Sequence, residues 1–420
     1  MTKQMLTLFA RHYANGEPLR VEIEGDRIRR IEPAWPKGSL NDWPFVSPAF
    51  LDLQINGYGG TWFSDDALTA DAVLKTLSPH FGFGVTRLCP TLITNSFEGL
   101  ATGFAAIRAA CDQSAWANRM VFGCHLEGPY ISGEDGPRGA HPKQHVRPAD
   151  WDEFQRLQEI SGGRIRLVTV APEVENGIEF IKKAVASGVV VSLGHTAATP
   201  DQIQAGVDAG ARLSTHLGNG AHSMIHRHRN VIYEQLADPR LNASLIVDGH
   251  HLPPNLVRTF IRVKTPQKTI LTCDAAGWAG CPPGVYESKL GRSEILPSGK
   301  LVVAGQQELL AGSAQEIDEC VANTISFAGV SVKQAVDMAS QNPAKLLGQE
   351  VVRLRRGSLA DLVLFHISPG DRLTNVTSQT GHIRPISPIN PISSTNERLR
   401  LKIEATIAGG ELKFGSIVQR

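Results

Sequence analysis

Hydrophobic residues along this chain fall into short runs separated by stretches of helical period. From about Val46 to Ala275 there are eight such runs: FVSPAFLDLQIN, GVTRLCPTL, MVFGCHLEG, RIRLVTVAPE, VVVSLGH, ARLSTHLGN, LNASLIVDG and KTILTCDA. Each is short, β-branched or leucine-rich and followed by Gly, Pro or Asn, which predicts strands buried on both faces. Amphipathic stretches such as TADAVLKTLSPHFG, GIEFIKKAVASG and PDQIQAGVDAG lie between several of them. Their Asp, Asn or Thr-Pro starts and mostly Gly ends are helix boundary signals. Eight strands in strand–helix order predict a (β/α)8 barrel, since a doubly wound sheet would usually have fewer.

The flanks read differently. VEIEGDRIRRIEP near the N-terminus, and VVRLRRGSLADLVLF and LKIEATIAGGELKFGSIV near the C-terminus, are strand–turn–strand patterns. The expectation is a small β-sandwich domain formed by both termini, residues 1–45 plus 350–420, beside a barrel domain spanning 46–349. The Pro/Ser/Thr/Asn-rich stretch 367–398 predicts a long loop or partly disordered insertion without a function of its own.

Composition narrows the function classes. The chain has 420 residues, 42% hydrophobic and 20% charged, with a formal net charge of +1. No basic surface is expected to bind nucleic acid, and an anionic small molecule would have to be held by local groups. The N-terminus lacks a signal-peptide layout, and no apolar run approaches the roughly 18 residues of a membrane span. Six cysteines (Cys89, Cys111, Cys124, Cys273, Cys281, Cys320) without a C-x-x-C pair read as reduced thiols of a cytosolic protein.

The candidate chemistry gathers at strand ends. Gln54, Asn56, Glu127, His195, His216, Asp248 and Asp274 all close one of the eight runs, and this C-terminal face is where barrel active sites are built. Glu127, His195 and His216 offer a carboxylate and two imidazoles, a donor set for one catalytic divalent ion, with zinc, iron, manganese and cobalt open. Asp274 is then the carboxylate outside the ligand set that moves protons. Gln54 and Asn56, spaced i, i+2, face the same way, where histidines would suit a second metal. Amides bind such an ion poorly, so one ion is expected.

Asn219, Gly220, Arg227 and the histidines after Asp248 suit an anion. His141 lies on a strand-to-helix loop, where spacing leaves either a carbonyl-polarising role or simple exposure. His222 and His226, four apart, read as solvated or anion-facing groups rather than a second metal site. Cys124 and Cys273 should point into the core.

The pieces PAFLDLQINGYGG, PTLIT, HLEGPYIS, GAHP, SLGHTAAT, THLGNGA, VDGHH, CDAAG and LLAGSA together resemble the N-acetylglucosamine-6-phosphate deacetylases of the amidohydrolase superfamily. The resemblance runs through GSLADLVLF and covers nearly the whole chain. It implies a metal-dependent hydrolysis of an N-acetyl amide, with Glu127, His195 and His216 as ligands and Asp274 as acid/base. It implies that His141 and His251 contact substrate, that Asn219 and Gly220 offer it hydrogen bonds, and that Arg227 reaches a phosphate from the partner subunit of a homodimer. It also places Gln54 and Asn56 in the branch that works with one metal.

Departures lie where substrate should be recognised. Gly218–Ala221 replaces an aromatic followed by Asn-Ala-Met, and HSMIHRHRN replaces a simpler loop. Two further readings therefore stand beside the first: a deacylase of another N-acyl amino sugar, amino acid or dipeptide, and a non-catalytic barrel scaffold.

Overall fold

The structure is a computed structural model that describes residues 5–36, 38–372 and 397–417. Eight parallel strands form one sheet: Phe50–Ile55, Val85–Ile93, Cys124–Glu127, Ile165–Val170, Val190–Leu193, Leu213–Ser214, Asn242–Ile246 and Thr269–Thr272. They pair in chain order, with registers such as Thr91↔His125 and Leu245↔Leu271, and a bridge between Ile55 and Ala275 brings the last back to the first. At least one helix follows each strand, from Ala70–Leu77 after the first to Ile317–Ala328 after the eighth. The (β/α)8 barrel expected from the eight runs is present.

Several helices begin at side-chain caps. Thr199 accepts from Gln202 N while Gln202 answers to Thr199 N, a capping box ahead of Pro200–Asp208. Asn230 caps Val231–Ala237 through Ile232 N and Tyr233 N. Apolar faces then pack onto the strands: Phe104, Phe154, Phe180, Val257 and Phe260 are all buried in one large core. Inside the barrel a polar layer replaces part of the usual aliphatic filling. His125 Nε2 bonds Thr169 Oγ1 at 2.8 Å, and Thr169 continues to Thr215 and Ser192. Burial holds His125 neutral, its pKa pushed down to about 4.

Both termini join one sheet, in the order Glu411–Gly415, Glu397–Ala408, Leu362–Arg372, Phe45–Pro48, Met5–His12, Pro18–Glu24, Arg27–Pro33. Where the sequence suggested a sandwich, the termini form this one sheet with a shared core. Leu8, Val21, Val46, Leu362 and Ile407 meet there. Ala360 links the two ends: its N–H donates to Asp26 O at 2.9 Å, and its carbonyl accepts from Gly410 N at 3.1 Å.

The stretch 367–398, expected as a loop, is strand at both margins. Leu362–Arg372 and Glu397–Ala408 pair antiparallel, so the hairpin ladder extends into it. Its remainder, 373–396, lies outside the described residues.

One element was not anticipated. Between the eighth strand and its helix, Gly284–Ser288, Gly291–Ile295, Leu301–Val303 and Gln306–Leu310 form a four-stranded antiparallel sheet at the barrel mouth. Ile295 and Leu301 pack with Trp62, Ala276, Trp278 and Ala311 in a separate small core. Among the described residues no helix is long and apolar enough to cross a membrane.

Candidate active site

The C-terminal ends of the strands open into a cavity of about 670 Å³, well within the range of small-molecule sites. Glu127, His141, His195, His216, Asn219, Gly220, His251, Asn56 and Asp274 all line it. Three of these residues converge closely. His195 Nε2 and His216 Nε2 are 3.0 Å apart, and Glu127 Oε1 lies 3.2 and 3.1 Å from them. Tetrahedral ligands about 2.0–2.1 Å from one ion would sit about 3.3 Å from each other. The triangle is slightly tighter and otherwise of that size.

The chemistry of the set fits a cation as well. His195 Nδ1 donates to Pro137 O at 2.9 Å, which leaves a lone pair on Nε2. A divalent ion between the two facing imidazole nitrogens and the carboxylate oxygen would take a lone pair from each. Burial alone would raise the Glu127 carboxyl, but the adjoining His195 and His216 imidazoles outweigh it and hold the group well below its usual range. The group is therefore ionised and ready to ligate. Glu127, His141 and His195 also have potential ligand atoms within 4.8 Å of one another. His141 Nε2 is nevertheless 4.0 Å from Glu127 Oε2, so the Glu127–His195–His216 triangle is the better cradle.

Local backbone geometry aims these groups. His195, His216 and Asp274, each two residues beyond a strand, have φ of 50°, 28° and 54°. Left-handed backbone is uncommon for residues with a Cβ, and three cases around one cavity mark a strained, functional rim. Neighbours hold the turns. His216 N donates to Ser244 Oγ at 2.8 Å, and Ser313 N to Asp274 O at 2.9 Å. Gly220 also has positive φ, and a Cβ there would stand 2.9 Å from His195 Nδ1, so only glycine lets this loop lie against the ring.

Gln54 and Asn56 serve the carboxylates. Gln54 Nε2 donates to Glu127 Oε1 at 2.8 Å and to Asp274 Oδ1 at 2.9 Å, and Asn56 Nδ2 donates to the same Asp274 oxygen at 2.7 Å. Burial and the Glu127 charge push the Asp274 pKa up to about 8, with His251 opposing. His141 takes a hydrogen bond between Nδ1 and Thr94 Oγ1 at 2.8 Å, and burial holds it neutral, its pKa pushed down to about 3. His251 Nδ1 sits 2.8 Å from Asp248 Oδ2, while Asp248 Oδ1 accepts from the backbone of His250 and His251. Asp248 thus fixes the ring that faces the cavity.

Arg227 is placed apart. It lies on the exposed segment after Ala221 and does not line the cavity of its own chain. His222 does line it, with Nε2 3.4 Å from Glu134, while His226 bonds its own loop backbone. Cys124 and Cys273 are fully buried, and burial raises both thiols. Sequence reading missed Thr94, the Pro137 carbonyl and the four-stranded sheet, whose Ser288–Ser293 and Glu308–Leu310 segments roof the cavity. The Thr94 signal was present in PTLIT, where a hydroxyl follows the second strand directly.

The chain is similar to known proteins. The profile of the amidohydrolase family matches residues 45–390. An N-acetylgalactosamine-6-phosphate deacetylase of Escherichia coli O157:H7 is 32% identical over 369 residues, covering 87% of this chain and 92% of the relative. The N-acetylglucosamine-6-phosphate deacetylase of Bos taurus is 34% identical over 351 residues, 80% and 82% of the two chains. Among solved structures, a mutant of N-acetyl-D-glucosamine-6-phosphate deacetylase from Mycobacterium smegmatis, in complex with N-acetyl-D-glucosamine-6-phosphate, superposes with a TM-score of 0.80. It is 27% identical, with 98% and 99% of the two chains covered.

Proposed function

The chain belongs to the amidohydrolase family, and from that premise we propose that it hydrolyses the N-acetyl amide of N-acetylglucosamine 6-phosphate, releasing acetate and the free amino sugar phosphate. The observation that carries this reading is the Glu127–His195–His216 triangle with Asp274 tied to it through Gln54. A scaffold has no use for such a donor set. Relatives named as deacetylases of 6-phosphorylated N-acetylhexosamines support the substrate class.

A divalent ion held by Glu127, His195 and His216, zinc by donor type, supplies Lewis acidity toward water and the acetyl carbonyl. One ion suffices, because the Gln54 amide already bridges the two carboxylates as a donor and Asn56 donates to Asp274. Asp274 removes a proton from the attacking water as the new C–O bond forms. The same carboxyl then gives that proton to the amide nitrogen as the C–N bond breaks, so the leaving group departs as a neutral amine. Both amides hold Asp274 by Oδ1, which leaves its second oxygen to exchange protons. The Thr94 hydroxyl lies 2.8 Å from His141 Nδ1, and the tautomer in which it donates there puts the ring proton on Nε2 to bind the oxyanion. His251, Asn219 and Gly220 bind the sugar.

Arg227 acts on a second copy of the chain in this reading. Its loop carries Met224, 89% exposed, and Ile225, 40% exposed, beside Tyr233, 52% exposed, an apolar patch suited to a homodimer contact. Sedimentation of the purified protein tests this, and a monomer at assay concentration sinks it.

The deciding assay is acetate release from N-acetylglucosamine and N-acetylgalactosamine, each with and without 6-phosphate, and from N-acetyl amino acids. Rapid turnover of N-acetylglucosamine 6-phosphate is expected. Indifference to the phosphate removes the phosphate from the reading, preference for the galactosamine epimer changes the sugar, and no release from any sugar ends it.

A further inference from the structure

The barrel closes in an unusual way beside the proposed proton carrier. Among the described residues, the first strand, Phe50–Ile55, and the eighth, Thr269–Thr272, share no continuous ladder. They meet through the Ile55↔Ala275 bridge and backbone bonds from Asp274 N to Gln54 O and from Asn56 N to Ala275 O. Below these, a side chain makes the join. Asp52 Oδ1 accepts from Gln54 N at 3.0 Å and from the Thr272 hydroxyl, and Oδ2 accepts from Cys273 N at 2.9 Å.

Asp52 is fully buried, and burial raises its carboxyl despite three donors. Closure alone needs only an acceptor for Cys273 N, which a single amide oxygen could supply, whereas a carboxylate offers two oxygens. Its two oxygens reach both strands at once, gripping Gln54 on one and Cys273 on the other. Each gripped residue is, or directly precedes, a group of the site: the Gln54 side chain bonds Asp274, and Cys273 leads into Asp274 at φ 54°. The strained Asp274 backbone is thus pinned from before by Asp52 and from behind by Ser313 N.

We propose that Asp52 is a positioning residue for the hydrolysis, its carboxylate clasping the first and eighth strands so that Gln54 and Asp274 stand at the relative height the proton transfers need. This rests on Asp274 being the proton carrier. Small displacements of a reacting group cost on the order of ten- to hundred-fold in rate.

The test compares Asp52→Asn, Thr272→Val and Thr272→Ser with wild type, reading unfolding temperature, bound metal per chain, kcat and KM. Asn keeps one acceptor oxygen but turns a donor toward one strand. Folded, metal-loaded Asp52→Asn should lose about ten-fold or more in kcat with KM within about three-fold. Thr272→Val should lose several-fold and Thr272→Ser should recover it. A merely structural role would lower the unfolding temperature and leave kcat per metal-loaded chain unchanged. Asp52→Asn with kcat within about two-fold of wild type overturns the inference. Should that variant not fold, equal kcat for Thr272→Val and Thr272→Ser overturns it instead. A wild-type protein releasing no acetate overturns the deacetylase reading and this inference together, whereas an active wild type matched by an equally active Asp52→Asn overturns the inference alone.

Discussion

Asp274 concentrates the features of the site in one residue: left-handed backbone, burial, two amide donors on one oxygen and a pKa pushed up to about 8. A group built this way suits the proton transfers proposed for it, and it stands outside the Glu127–His195–His216 triangle. Asp274→Asn keeps the shape and the neighbours yet cannot accept the water proton. Turnover should fall by about three orders of magnitude or more, while bound metal stays stoichiometric by elemental analysis; an active variant would remove Asp274 from the role. Residue type and position at a strand end grouped Glu127, His195, His216 and Asp274 as candidates from sequence, and the four line one cavity. Their strained φ values, the Pro137 carbonyl that sets the His195 tautomer and the Asp52 clasp were not legible there, because each depends on a partner tens or hundreds of positions away.

At the level of elements, pattern strength decided what could be read in advance. The barrel strands announced themselves because both faces are buried, as in Phe50–Ile55, where every residue is buried. The four-stranded roof did not, since Gly284–Ser288 buries no residue fully and Gln306–Leu310 is mostly exposed. What holds the roof is local: Trp278 stacks on Tyr286 at 4.9 Å and meets Trp62 edge-on at 6.2 Å. Trp278→Ala should loosen it over the cavity, raising KM several-fold while the main unfolding transition moves little; unchanged KM would show that the roof does not bind substrate. The helix Ile317–Ala328 gives a second element-scale prediction. Asp318 in its first turn is half-buried, its Oδ1 is shut off from solvent without a hydrogen-bond partner among the described residues, and desolvation with the Glu319 and Glu316 charges pushes its pKa up to about 8. A folded-state pKa above the unfolded one means the native chain binds the extra proton, so wild-type stability falls as pH rises from about 4 to about 8. Asp318→Asn carries no such proton, and its stability relative to wild type should climb across that window and then level off. Denaturant melts at several pH values check this, and a flat difference would refute it.

On the scale of the whole molecule, distant parts of the chain are made to serve one mouth. The terminal sheet reaches it through Arg398, whose Nη2 donates to Asp248 O at 3.0 Å and whose Nε donates to Asn323 Oδ1 at 2.8 Å, just behind the turn that carries His251. The Glu127–His195–His216 triangle draws together the ends of the third, fifth and sixth strands. An ion bound there cross-links the barrel as well as supplying chemistry, and the unfolded chain offers no such preformed cradle. Binding to the native state alone stabilises it by RT ln(1 + [L]/Kd), about 2.7 kcal/mol at a hundred-fold excess over Kd. Chelation should therefore abolish acetate release and lower the unfolding temperature together, and one equivalent of zinc should restore both. The two effects are separable by variant: Asp274→Asn, inactive from the outset, should show the same thermal loss on chelation and the same recovery. If chelation left the unfolding temperature of that variant unchanged, the triangle would not be where the ion sits, whatever its effect on turnover.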